Sequence, residues 1–88
     1  MNNIAGGWTP YSTNIDDEMR HVFDQAMEGL LGVSYEPFAA STQIVAGVNY
    51  HFLCNAKVAD REGTEYAVMV SICELINAKP VINEIHKI

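Results

Sequence analysis

At Gly32 the apolar pattern of this chain changes period, and that change limits the folds open to it. Before it, Ile15, Met19, Val22, Phe23, Ala26, Met27 and Leu30 recur at helical spacing, with Asp16, Asp17, Arg20, Asp24 and Glu28 on the opposite side. The pattern predicts an amphipathic helix. Asn14 is placed as its N-cap, Asp16, Glu18 and Asp17 put negative charge on the first turn where the helix dipole favours it, and Gly32 suits a left-handed C-cap. That is roughly 17 residues, a rod about 25 Å long with one apolar face that something must cover.

After Gly32 the period is two. Residues 33–43 read as a strand in which Pro37 implies an edge or a bulge, because proline cannot donate to a ladder. In residues 48–59, Val48, Tyr50, Phe52, Cys54, Ala56 and Val58 alternate with Asn49, His51, Asn55 and Lys57, only Leu53 breaking the polar side. Residues 65–75 offer Tyr66, Val68, Val70 and Ile72 to the same buried face, and residues 81–88 supply a last strand. Residues 60–63 have the acidic start and final glycine of a type I turn with a bulge. Short connections imply an antiparallel meander. The expected fold class is α+β, a single domain over residues 1–88 in which one helix is wrapped by a four- to five-stranded antiparallel sheet, the fifth strand being residues 8–12.

Composition narrows the partners. Five Lys and Arg against 11 Asp and Glu give a net charge of −6, the wrong sign for binding through phosphate contacts, so nucleic acid is not expected. No apolar run reaches bilayer length, so no membrane partner is expected either. The first eight residues have neither the basic start nor the apolar stretch of a leader, which places the chain in the cytoplasm if it is complete and outside the cell if a leader has been removed. Pairing Ala59 with Thr64 across the 60–63 turn sets Cys54 opposite Met69 and not Cys73, so two free thiols are expected.

Catalytic signals are weak. His21, His51 and His86 fall on different elements with no metal-ligand spacing among them, so no metal or other cofactor is expected. Cys54 points inward as a small hydrophobe, and the Asp16-Asp17 pair is accounted for by helix capping. Gly6-Gly7 precedes a possible strand and lacks the third glycine of a phosphate loop. An enzyme is not expected.

The segment Gln43-Ile44-Val45-Ala46-Gly47 is different. A bend near Gly47 would expose Ile44, Val45 and Ala46 on a hairpin tip, where polar residues are usual. The alternative is that these three continue a buried strand and the bend lies elsewhere. The start of the chain is similarly open: Ile4 to Trp8 is either a frayed end with Trp8 tucked on the sheet or an apolar arm with its own use.

A resemblance decides between these readings. Gln43-Ile44-Val45-Ala46-Gly47 matches the QxVxG motif of the cystatins, inhibitors of papain-like cysteine proteases, and Val48-Asn49-Tyr50 matches the usual continuation. Gly6-Gly7-Trp8 with Pro10 resembles the N-terminal glycine region of plant-type cystatins, and Lys79-Pro80 is similar to the step before the last strand in stefins. The resemblance spans essentially the whole chain. It implies a cystatin-like fold and a reversible, tight-binding inhibitor that plugs the cleft of a papain-like protease with a three-part wedge. Residues 43–47 would be the central prong, Gly6 and Gly7 the trunk that lets Ile4 and Ala5 enter the cleft, and Leu75 with Ile76 the second loop. Substitution of Val45 by Asp or of Gly47 by Trp is then expected to alter the tip alone.

Two features depart from the family. The second loop reads Glu74-Leu75-Ile76-Asn77 in place of the family's Pro-Trp or Leu-Pro, so it lacks a large aromatic anchor. Met19 to Glu28 is only loosely similar to the plant helix signature, so a plant origin is not implied. The missing anchor keeps a second hypothesis open: a cystatin-like scaffold without protease binding, acting as an interaction module or as a domain-swapped homodimer through the residue 43–47 hinge.

Overall fold

The computed structural model describes residues 6–88, which form one helix and an open four-stranded antiparallel sheet. The elements are α1 (Asp17–Met27), β1 (Val33–Val45), β2 (Gly47–Val58), β3 (Glu65–Leu75) and β4 (Val81–Lys87), paired in the order β1-β2-β3-β4. This is the expected α+β class, and the arrangement is consistent with a cystatin-like fold.

The helix is shorter than the apolar stripe suggested. Its N-cap is Asp16, not Asn14: Asp16 is extended (φ −79°, ψ 176°) and its carboxylate accepts from the Met19 amide at 2.9 Å. Its far end is set by Glu28, which leaves the helical region, and by Gly29 at φ 90°, one turn before the expected Gly32. Leu30 and Leu31 therefore lie outside the helix and face solvent. Replacing Asp16 with Ala is expected to lower stability by about 1 kcal/mol, a fall of roughly 4–8 °C in Tm by calorimetry; an unchanged Tm would show that the cap contributes nothing.

Val22 and Phe23 are buried beneath α1 against Tyr50, Phe52, Cys54 and Ala56 of β2 and Val68, Val70 and Ile72 of β3. Phe23 meets Phe52 edge-on at 5.0 Å, a favoured aromatic geometry. Arg20 ties the exposed side of the helix to the sheet, its guanidinium lying 3.1 Å from Glu36 on β1 and 3.2 Å from Asp24. Pro37 behaves as expected: the β1 register shifts between Pro37 and Ala39, and Phe38 stands out of the ladder, half-exposed.

One expected register is off by a residue. Lys57 pairs with Glu65, so Cys54 lies opposite Val68 and not Met69. Cys54 and Val68 both face the helix, and a one-residue slip would have turned one of them outward. The extra residue is taken up in the loop, where Asp60 accepts from the Thr64 amide and hydroxyl. Both cysteines are free, Cys54 fully buried and Cys73 partly so. The expected fifth strand is reduced to two bridges, Trp8 to Gln43 and Ser12 to Ala40, on the outer edge of β1. Pro10 lies between them and has no N–H with which to continue a ladder.

Candidate functional site

β1 and β2 join through one unpaired residue. Val45 pairs with Gly47, leaving Ala46 alone at the bend. Ile44 and Val45 continue β1 and yet remain 41% and 42% exposed, because the ladder runs past the end of the helix-covered core. The reading that bends the chain beside Gly47 and leaves these residues in solvent therefore holds, and the alternative of a buried strand with its bend elsewhere does not: Ile44 and Val45 extend β1 without being buried. Ala46 is exposed as well.

Gly47 explains why this tip is fixed in place. Its φ is 129°, and it pairs with Leu75 at the end of β3. A Cβ there would sit 2.2 Å from the Glu74 carbonyl oxygen and 2.8 Å from the Leu75 Cα. The expectation that a substitution at Gly47 would alter the tip alone is therefore corrected: any side chain there strikes the backbone of the neighbouring hairpin.

That neighbour carries the second apolar projection. Leu75 is 52% and Ile76 is 72% exposed, and the turn closes by a bond from the Ala78 amide to the Leu75 carbonyl with Asn77 at φ 61°. A cavity of about 550 Å³ lies behind the two tips, lined by Gln25 of α1, Gly47, Val48 and residues 74–80. Glu74 and Lys79 are the ionisable groups in its wall.

On the other side of the first tip runs the N-terminal segment. The Gly6 amide donates to the Ile44 carbonyl at 3.0 Å, and the Gln43 side-chain amide donates to the Gly6 carbonyl at 2.9 Å. The Gln43 side-chain oxygen accepts from Asn49 of β2 at 2.8 Å. Gln43 is thus a brace between trunk and hairpin, and the apolar surface comes from Ile44 to Ala46. Gly6 is exposed and Gly7 half-buried, while Ala5 lies outside the described residues.

The three segments expected to act together are therefore side by side at one end of the sheet, in the order trunk, first tip, second tip. No family model, curated protein or solved structure matches this chain. The likeness to cystatins stands on the residue 43–47 motif and on where the fold puts it.

Several contributors were not visible as site residues in the sequence. Trp8 stacks on His51 with ring centroids 3.8 Å apart and planes 18° from parallel. The Ser41 hydroxyl donates to the Thr9 carbonyl, and the Thr9 hydroxyl accepts from the Thr42 amide at 3.0 Å. Trp8, Ser41 and His51 lie on the sheet face away from the helix, where the period-two pattern marks His51 only as polar; for Trp8, the alternative that tucks it on the sheet holds. Electrostatics in the core favour inert groups: burial pushes the Cys54 thiol up to about 12, and burial followed by the charge of Glu74 pushes the Tyr50 phenol up to about 12. A thiol held that high is a core hydrophobe at neutral pH and a poor nucleophile. Among the described residues, no helix is long and apolar enough to cross a membrane, and no group of three His, Cys, Asp or Glu could hold a metal ion.

Proposed function

We propose that this protein is a reversible inhibitor of papain-like cysteine proteases that occludes the active-site cleft and performs no catalysis itself. The observation that carries the reading is the half-exposed Ile44-Val45-Ala46 tip, set beside the exposed Leu75-Ile76 tip with Gly6 on its other flank. A monomeric fold gains nothing from holding apolar side chains in water at the ends of two hairpins, whereas a partner's groove would bury them. The tips are preorganised, so binding avoids much of the ordering cost a flexible peptide would meet. A standard interface covers about 800 Å² per partner, a footprint three such segments can supply. The chain has the QxVxG pattern at the place where the family uses it, and Leu75 and Ile76 substitute aliphatic for aromatic contact in the second loop.

Titration of papain with the purified protein tests the reading. Stoichiometric loss of activity at or below micromolar concentration, recovered on dilution, is expected; full activity at that concentration removes papain-like enzymes of this specificity as targets.

One observation favours a second reading, the scaffold acting as a domain-swapped dimer. Ala46 alone separates the paired Val45 and Gly47, so straightening at this point would fuse β1 and β2 into one long strand. Sedimentation of fresh protein separates the two: a dimer that leaves papain active supports the swap, and an inhibitory monomer rejects it.

A further inference from the structure

We propose that His51 is the positioning residue of the N-terminal trunk: its ring, on the sheet face away from the helix, seats Trp8 and thereby holds Gly6 and Gly7 beside the β1–β2 tip. The proposal rests on the inhibitor reading and specifies what fixes one part of the wedge.

Two adjacent glycines cannot hold their own position, because neither restricts the backbone. The polar ties at Gly6, to Ile44 and Gln43, lie at the surface, where water competes for each hydrogen bond. The stack two residues later is the large apolar contact in this stretch, and it reaches across β1. Trp8 bridges to Gln43 on β1, but its ring lies over His51 on β2. Ser41, the β1 partner of His51, is small and only 2% exposed, covered by the segment that carries Trp8. A seat one strand inward fixes the direction of the trunk as well as its presence.

The seat is sensitive to proton concentration. His51 faces Ser41 on β1, Ser71 on β3 and, beyond Ser71, Glu84 on β4, whose carboxylate is 3.6 Å from His86; Cys73 shares the same face. Burial lowers the His51 pKa from its ordinary value, and the charge of Glu84 only partly opposes this. Undocking Trp8 uncovers the ring and relaxes the pKa upward. The docked trunk is therefore favoured above the ordinary imidazole range and loses that advantage as pH falls through the lowered value.

Trp8 is the single tryptophan of the chain, so its fluorescence reports the seat directly. His51→Ala is expected to shift Trp8 emission to the red at neutral pH and to raise the inhibition constant for papain about three- to tenfold, the effect of losing one aromatic pair. His51→Phe keeps a stacking ring without a proton, so it should restore both properties and flatten the emission change expected of wild type between about pH 8 and pH 5. In a Trp8→Ala background His51→Ala should cost nothing further in inhibition. Unchanged emission in His51→Ala overturns the proposal, as does a loss of inhibition that persists undiminished in the Trp8→Ala background. If wild type leaves papain active, the inhibitor reading fails, and the emission of His51→Ala and His51→Phe still decides whether His51 seats Trp8.

Discussion

Gly47→Ala is expected to lose about 3 kcal/mol of stability, a fall of roughly 12–24 °C in Tm, and most of the inhibitory activity with it. Two costs combine. At φ 129° an L side chain is strained, and the added Cβ would lie 2.2 Å from the Glu74 oxygen and 2.8 Å from the Leu75 Cα. Backbone atoms of a paired strand cannot swing aside as the end of a lysine can, so the two hairpins must separate where Gly47 meets Leu75. Gly63 makes the useful control. A Cβ there meets only the Lys57 side chain, at 3.0 Å, and the left-handed φ of 63° is the main cost, so Gly63→Ala should lose less. Calorimetry on both variants checks the ordering; a Gly47→Ala protein that melts with wild type would mean the tips are not held in contact.

This consequence for Gly47 was hidden in the sequence for a definite reason. The motif spacing located the bend, and the alternation located β3, which begins and ends at the expected residues. Neither states which strand of another hairpin lies against the glycine. The same limit accounts for the other misses. Helix ends depend on single residues, and Asn14, Asp16, Gly29 and Gly32 can all punctuate; the helix uses Asp16 and Gly29 where the apolar stripe points to Asn14 and Gly32. Counting from the turn misplaces the β2–β3 register by one residue, whereas the inward phases of Cys54 and Val68 require them to share a face. Trp8 and His51 are 43 positions apart by their numbers and meet only because the trunk lies along the outer edge of β1 and the Trp8 ring reaches over that strand to β2. Local pattern carries periodicity and turn chemistry well; it carries contact between distant edges only after the sheet order is known.

Val45→Asp is expected to act in the opposite manner, leaving the fold intact while raising the inhibition constant for papain by about 30-fold or more. Val45 is 42% exposed and lies at the end of the ladder, so a carboxylate there keeps its water in the free protein, and Tm should move by no more than about 4 °C. Binding reverses this. A central contact buried in an apolar groove would have to strip the carboxylate of water without a partner to replace it, a cost of several kcal/mol. Val45→Ile, which keeps an apolar branched side chain, should inhibit within a few-fold of wild type. The pair of variants at residues 45 and 47 therefore separates two ways of failing: one leaves a folded protein that cannot enter the groove, the other leaves a wedge whose halves no longer align. Equal potency of wild type and Val45→Asp would show that the tip never enters the protease, whatever the rest of the edge does.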